Sequence, residues 1–355
     1  QSGSMTSSFS TVTQDSYKKY SGSNSDFRSQ ANNGNLYYKL DNSYVQIHVE
    51  YEYDWDLTYT YYYYDADGTK VVVETSNGWT ETPSNTYYTK STSTTTITRQ
   101  QALKDAATNL ASIVADQAQK NNVDHRIAVV GFASQSGNGN NTEILSVNGT
   151  NSGSVGVSYG NLTATHYKNA LQNMNTADGR SMVTNAINAL AASGATRTDL
   201  GMEMAKNILD NNPVPAGQER KRVVIVLTDG APTAQNGFHL NVANSAISTS
   251  NSIKTDGATV YAVGIFPGRD ATSAGTKPNG DLSNNSSSIP AASNWFMQNL
   301  SSNNGTPAAQ NAASYYLSPN DADELNKVFT SIGQSSGGAS NTSLTSKTVL
   351  KDTVT

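Results

Sequence analysis

Oxygen-bearing side chains in three separate loops could bind a hard cation together. Ser2 and Ser4 stand one residue apart at the start of the chain, Thr196 and Thr198 lie in a Gly-Ala-Thr-Arg-Thr-Asp segment, and Asp229 follows an apolar run. Hydroxyl and carboxylate oxygens are ligands that Mg²⁺ prefers, and water molecules complete its octahedron. The sequence therefore predicts a Mg²⁺ site formed by Ser2, Ser4, a threonine of the second segment and Asp229, with Mn²⁺ or Ca²⁺ as alternative ions.

Strands and helices must alternate along the chain to bring these loops together. Short apolar runs at residues 127–132, 223–227 and 259–266 are typical of buried parallel strands. Apolar residues at three- and four-residue steps predict helices at residues 98–120, 181–192, 200–209 and 321–332. This alternation predicts an α/β fold with a doubly wound, mostly parallel sheet, whose ligands bind at the carboxyl ends of the strands.

A tyrosine-rich block at residues 6–96 does not follow this alternation of strands and helices. From Val45 to Trp55, apolar and polar residues alternate with a period of two, which predicts β-structure with one apolar and one polar face. We interpret the block as an inserted β-rich subdomain whose tyrosines form its core and flanks. A sugar-binding platform around Trp55 and Trp79 is the alternative for these aromatic residues.

Three segments together resemble the motifs of a von Willebrand factor A domain with its metal-ion-dependent adhesion site. They are Ser-Gly-Ser-Met at residues 2–5, Gly-Ala-Thr-Arg-Thr at residues 194–198 and the run ending in Thr-Asp-Gly at residues 224–230. The resemblance implies that Ser2, Ser4 and Thr196 are direct ligands and that Asp229 binds directly or through water. It also implies a von Willebrand factor A domain at residues 1–5 and 97–335, the insert at 6–96, and a linker or strand towards a following domain at 336–355.

Two departures from the family pattern affect these expectations. The family's first motif begins with an aspartate that would fall immediately before Gln1, together with the central strand. We therefore expect weaker metal binding by the chain and a gap in its sheet. The second departure is the insertion after Met5, which resembles the arms of surface and pilus-tip adhesins of Gram-positive bacteria.

The resemblance implies an extracellular adhesion module on the cell wall or pilus. Its metal ion would coordinate an acidic group of a host or extracellular-matrix protein. The alternative is a structural or assembly module of a pilus or cell-wall protein, with pilin or cell-wall partners and a non-essential metal site. Long stretches of Ser, Thr, Asn and Gly, and a charged fraction of only 14% against roughly 25% on average, favour a secreted, surface-exposed protein.

Composition also limits the other classes of function. The chain has no cysteine, a formal net charge of −5, no basic run and no apolar run long enough to span a membrane. Nucleic acid is therefore not an expected partner, and no membrane insertion is expected in this segment. Residues 156–160 match the nucleophile elbow of a hydrolase, with His166 and His239 as candidate bases, but the flanking strand and helix that this motif needs are not evident. We expect no enzymatic activity and no catalytic residues.

Overall fold

The computed structural model describes residues 3–78, 84–135, 141–149, 155–307 and 314–337. The chain divides into two compact units. The main unit comprises Gln1–Ser10 and Ile97–Thr355, and the inserted unit comprises Thr11–Thr96.

The inserted unit is built from two antiparallel sheets and one described helix. Its elements, in chain order, are β1 (Ser8–Lys19), α1 (Asn24–Asn32), β2 (Leu36–Leu40), β3 (Ser43–Gln46), β4 (His48–Asp54), β5 (Asp56–Tyr64), β6 (Lys70–Asn77) and β7 (Tyr87–Thr98). One sheet has the strand order β1-β7-β2-β3, and the other has the order β4-β5-β6. Strands β1 and β7 run across the boundary between the two units in sequence.

The alternating run that begins at Val45 forms β-structure, as predicted, and it is divided between β3 and β4, which lie in two different sheets. The break falls at Ile47, whose side chain is fully buried and whose amide donates to the carbonyl of Leu36 at 2.8 Å. Buried Ile47 belongs to the core between the sheets, and the chain passes there from β3 to β4. Period-two alternation continues through such a crossing, so it does not reveal the change of sheet.

Tyrosines form much of the core of the inserted unit. Tyr61 and Tyr87 are almost completely buried beside Phe27 of α1. The Tyr87 hydroxyl donates to Glu74 Oε1 at 2.5 Å, and burial together with this bond raises the pKa of Tyr87 far above its usual range. Burial also raises the pKa of Tyr61. A core containing phenol groups is stable only while those groups stay protonated.

The main unit alternates helices and strands after residue 98. Its elements are α2 (Arg99–Asn121), β8 (Arg126–Ile127), β9 (Val130–Gly131), β10 (Glu143–Asn148), β11 (Val155–Ser158), α3 (Ala164–Asn169), β12 (Gln172–Asn173), α4 (Ala177–Ala189), α5 (Thr198–Asp210), β13 (Val223–Thr228), α6 (Leu240–Thr255), β14 (Thr259–Gly264), α7 (Ile289–Leu300), β15 (Tyr316–Leu317) and α8 (Ala322–Gly337). A short 3₁₀ helix, Gly3–Thr6, precedes β1. Strands β13, β14 and β15 pair in parallel, in that order, as expected for an α/β fold.

Polar side chains cap two of the predicted helices. The hydroxyl of Thr98 accepts from the amide of Gln101 at 3.1 Å at the start of α2. Asp321 Oδ1 accepts from the amide of Glu324 at 2.8 Å at the start of α8. Such caps satisfy amides that have no partner within the helix, and each contributes about 1 kcal/mol.

The first apolar run differs from its prediction as one parallel strand. It contains two short strands, and both pair antiparallel: β8 with β12, and β9 with β10. The partners β10 and β12 follow this run within some 50 residues, and such local connections produce antiparallel pairs readily. The main unit therefore has one parallel sheet, β13-β14-β15, and two separate antiparallel sheets, β11-β10-β9 and β12-β8.

A cavity of about 940 Å³, partly open to solvent and lined by both apolar and charged residues, lies between β8 and β9 on one side and β13 on the other. It is lined by residues 123–130 on one side and by β13 on the other, with side chains of α2, α5 and α8 closing its faces. The cavity lies beside β13, on the side opposite β14.

Among the described residues, no helix is both long enough and apolar enough to cross a membrane.

Candidate metal site at the carboxyl edge of the parallel strands

Asp229 follows the last residue of β13, at the carboxyl edge of the parallel strands. Its neighbour Thr228 is fixed there, because the Thr228 carbonyl accepts from the amide of Ile265 at 2.9 Å. The Thr228 hydroxyl donates to the carbonyl of Gly230 at 2.9 Å, which stabilises the turn after the strand. Asp229 is only 3% exposed. A carboxylate so buried is expensive to keep charged without a compensating partner, and Asp229 does take part in polar interactions within the described structure.

Thr196 lies in the loop before α5. Its carbonyl accepts from the amide of Thr198 at 2.9 Å, which turns the chain into the helix. Thr196 is 2% exposed, and Ala195 and Thr198 beside it are also buried. The loop is therefore a fixed part of the structure, which a precise ligand position requires.

A backbone hydrogen bond joins the two loops. The amide of Thr233, in the loop after Asp229, donates to the carbonyl of Thr196 at 3.1 Å. The bond spans 37 positions in the sequence and brings the loops that carry Thr196 and Asp229 to the same edge of the sheet.

The first motif approaches the same edge through Met5. Met5 is 1% exposed and belongs to one cluster of buried side chains with Leu227, Val263 and Ile265. These residues lie at the carboxyl ends of β13 and β14. Ser4 is in the 3₁₀ helix Gly3–Thr6 beside Met5, and Ser2 lies outside the described residues.

An ion pair lies next to Thr196. Arg197 Nε and Nη2 donate to the two carboxylate oxygens of Asp199 at 2.8 and 2.7 Å, and both side chains are mostly buried. The hydrogen bond to Asp199 raises the pKa of Arg197 further. Both carboxylate oxygens of Asp199 are thus hydrogen-bonded to the guanidinium of Arg197. Because Asp199 is occupied in this way, Asp229 is the better candidate for a metal ligand in these loops.

Sequence reasoning missed Ser134, which supports the Thr196 loop. Its hydroxyl accepts from the amide of Ala195 at 3.2 Å, and Ser134 forms an isolated bridge with Asn141. A serine in a Gly/Ser/Asn-rich stretch carries no local signal for a contact 61 positions away.

The donor set fits Mg²⁺ better than it fits softer metals. Within the part of the chain that the structure describes, no three His, Cys, Asp or Glu side chains form a metal-binding group. The candidate ligands at this edge are hydroxyl oxygens and the carboxylate of Asp229, with water molecules to complete the coordination. Mg²⁺ commonly keeps several waters and takes one or two carboxylates.

The hydrolase motif at residues 156–160 has different partners. Ser158, at the end of β11, donates to Glu143 Oε1 at 3.0 Å. His166 Nδ1 lies 3.1 Å from the hydroxyl of Thr163 and accepts from the Thr163 amide in a helix-capping arrangement. Both side chains thus serve local structure, and they do not form a serine–histidine pair.

Comparison with known proteins adds a family match. The model of the von Willebrand factor type A domain matches residues 92–306, more than half of the chain. The matched range contains Thr196 and Asp229. Among curated proteins, no sequence similar to this chain was found.

Several solved structures are similar to this chain at low identity. The pilus adhesin SpaC from Lactobacillus rhamnosus GG is 14% identical, with 85% of this chain and 35% of that chain covered and a TM-score of 0.44. A mutant of the PilB minor pilin from Streptococcus sanguinis is 11% identical, with 84% and 80% covered and a TM-score of 0.41. The vWF domain of the type V pili tip protein Mfa5 from Porphyromonas gingivalis is 11% identical, with 67% and 88% covered and a TM-score of 0.40. This chain thus spans about a third of the length of SpaC.

Proposed function

Since the chain belongs to the von Willebrand factor type A domain family, we propose that it is an extracellular adhesion module. Its ligand-binding site is a Mg²⁺ ion held by Ser2, Ser4, Thr196 and Asp229, with Mn²⁺ or Ca²⁺ as substitutes. The proposed location is the cell wall or pilus of a Gram-positive bacterium.

The hydrogen bond between the Thr233 amide and the Thr196 carbonyl is the observation that carries this proposal. It joins the loop that carries Thr196 to the loop that follows Asp229, and the side chains of Thr196 and Asp229 are both buried. Burial favours an ion here, because electrostatic attraction is stronger where water is excluded.

Each residue has a distinct part in the proposed site. Asp229 supplies the negative charge, and the hydroxyls of Thr196, Ser2 and Ser4 supply neutral oxygens. A single carboxylate leaves net positive charge on the ion, whose open position then accepts an acidic side chain from a host or matrix protein.

Calorimetric titration of the 355-residue chain with Mg²⁺ tests the metal site. We expect wild-type binding to be lost in Asp229→Asn and reduced at least tenfold in Thr196→Val. Both substitutions conserve the shape of the side chain while removing the ligand oxygen or its charge. Asp116→Asn, an exposed position on α2, is the matched control and should bind like wild type. Equal Mg²⁺ affinity in wild type and Asp229→Asn would overturn the site.

Ligand binding separates adhesion from the alternative of a pilus or cell-wall assembly module. Wild type and Asp229→Asn are compared on immobilised extracellular-matrix proteins, with and without EDTA. Binding that both EDTA and Asp229→Asn abolish supports adhesion through the ion. Binding that survives both treatments supports the assembly module with a non-essential metal.

A further inference from the structure

The tip of the β4–β5 hairpin exposes aromatic side chains to an unusual degree. Tyr51 is 71% exposed, Tyr53 is 70% exposed, and Trp55, the single residue that joins the two strands, is 97% exposed. Tyr51 and Tyr53 lie on the same face of β4, because alternate residues of a strand point the same way. We call residues 51–56 the hairpin tip.

The tip is not needed to fill the core of the inserted unit. On the same face, Tyr61 is almost completely buried against Phe27 and Tyr87 at the base of the hairpin. The aromatic face continues past that core into solvent at Tyr51 and Tyr53. Large exposed aromatic side chains in a cluster are typical of interaction surfaces, where Tyr and Trp contribute most binding energy.

The charge around the tip is strongly one-sided. Glu52, Asp54 and Asp56 lie on the opposite face of the hairpin, and residues 41–69 contain seven Asp and Glu residues but no Lys or Arg. The inserted unit, residues 11–96, has 6 basic and 11 acidic residues, a difference of −5. The formal net charge of the whole chain is also −5. The main unit is therefore formally neutral, and the inserted unit carries the entire net charge.

The inserted unit itself shows how its tyrosines accommodate cations. Lys70 Nζ lies 4.2 Å from the ring centroid of Tyr62 and pairs with the carboxylate of Glu50. Lys90 Nζ lies 5.9 Å from the ring centroid of Tyr37 and pairs with Asp15 at 2.8 Å. Each lysine combines an aromatic face with a carboxylate, two attractions that act on the same positive charge.

We propose that the hairpin tip is a docking surface for a lysine- or arginine-bearing segment of a protein partner. The partner's side-chain methylenes and cations contact Tyr51, Tyr53 and Trp55, and its remaining charges face Glu52 and Asp54. Strand β4 is the edge strand of its sheet, so both faces of the tip are reached from that edge. This surface is independent of the metal site, and neither proposal rests on the other.

Binding of a fluorescently labelled ten-residue lysine peptide to the full chain tests the docking surface at 50 and 150 mM salt. We expect each of Tyr53→Ala and Trp55→Ala to weaken binding about two- to fivefold, as exposed cation–π contacts do. The triple variant Tyr51→Ala, Tyr53→Ala, Trp55→Ala should weaken it at least tenfold. These side chains are mostly exposed, so the variants should keep the wild-type circular dichroism spectrum.

A matched pair of charge variants separates docking from general attraction. Glu52→Gln with Asp54→Asn removes two charges at the tip. Asp41→Asn with Asp67→Asn removes two charges from exposed turns of the same unit. We expect the first pair to weaken binding at least fivefold and the second to change it less than twofold.

Three outcomes would overturn the proposal. Equal losses in the two charge pairs would mean that only the net charge attracts the peptide. Wild-type affinity in the triple aromatic variant would remove the aromatic surface from the interaction. Failure to bind the lysine peptide, with tip-dependent binding to an oligosaccharide array instead, would identify the tip as a carbohydrate platform.

Discussion

The backbone amide of Thr233 donates a hydrogen bond to the carbonyl of Thr196, 3.1 Å away. One loop follows the parallel strand β13 and the other precedes the helix α5, so the bond fixes their separation whatever their side chains bind. Binding of the proposed ion by Thr196 and Asp229 would need little reorganisation of these loops, which would lower its free-energy cost.

Ser134 is not a proposed metal ligand, but its hydrogen bond to the Thr196 loop predicts that its substitution changes both stability and Mg²⁺ affinity. Ser134→Ala leaves the amide of Ala195 without its 3.2 Å partner, and a lost hydrogen bond of this kind costs about 1–3 kcal/mol. We expect urea denaturation to show that loss, and calorimetry to show a severalfold weaker affinity for Mg²⁺. Ser181→Ala, at an exposed position of α4, is the control and should change neither quantity. An unchanged Mg²⁺ affinity in a destabilised Ser134→Ala protein would restrict Ser134 to folding.

The ion pair beside Thr196 predicts opposite changes in Mg²⁺ affinity from two substitutions. Arg197→Gln leaves the carboxylate of Asp199 uncompensated near the proposed site, and Asp199→Asn leaves the guanidinium uncompensated. At low salt we expect about two- to fivefold tighter Mg²⁺ binding in the first variant and weaker binding by a similar factor in the second. Both should lose about 1–3 kcal/mol of stability, because each breaks charged hydrogen bonds.

Salt provides the check on this pair of variants. The difference in affinity between them should shrink in 0.5 M NaCl, because the ions in solution screen the charges. Changes of the same sign in both variants would show that distortion of the loop, and not charge, determines the affinity.

The phenol groups of the inserted unit predict a two-step alkaline titration. Burial and a 2.8 Å hydrogen bond to Asp26 raise the pKa of Tyr20 to about 12, and burial raises the pKa of Tyr61 and Tyr87 as well. Because the folded pKa values exceed the unfolded value of about 10, this stability is complete below pH 10 and is lost as the pH rises towards 12 and beyond. Absorbance at 295 nm should show exposed tyrosines titrating first, and the buried ones only as circular dichroism reports unfolding. One transition for all tyrosines near pH 10 would contradict the buried core.

Two helices of the main unit offer a comparison of packing. Ala205, on α5, lines the 940 Å³ cavity, and Ala246, on α6, is completely buried in a packed cluster. We expect Ala205→Leu to raise the free energy of unfolding by about 1–2 kcal/mol, because the added carbons enter apolar space. Ala246→Leu should lower it by about 1–3 kcal/mol, because no room exists for the larger side chain. Thermal denaturation measures both, and destabilisation of similar size in the two variants would contradict an open cavity beside α5.

The sequence predicted the parts of the fold that depend on local signals. The strands β13 and β14 arise from apolar runs, and Thr98 and Asp321 cap their helices because short polar side chains reach nearby amides. Helix α1 was missed, although Ser23 caps it by accepting from the amide of Asp26, since a nine-residue helix shows little periodicity. Pairing partners depend on chain segments far apart, so the antiparallel pairing of β9 could not be derived from its own apolar residues.

For the candidate site, too, the sequence predicted the features with local signals and missed those without. The motifs around Thr196 and Asp229 were recognisable because their residue types follow a strand or precede a helix. The hydrogen bond between the Thr233 amide and the Thr196 carbonyl uses only backbone atoms. Every residue except proline can supply a backbone amide, so no residue type in the sequence predicts this bond.

The cavity beside β13 also has a mechanical consequence, because empty volume responds to pressure. Any part of its 940 Å³ that holds no water disappears when the main unit unfolds, so the unfolded chain occupies less space. Hydrostatic pressure then favours unfolding of the main unit, whereas the inserted unit has a separate core in which the rings of Phe27, Tyr61 and Tyr87 meet edge-to-face or tilted. As pressure rises, we therefore expect the main unit to unfold before the inserted unit. Heating can unfold the two units in a different order.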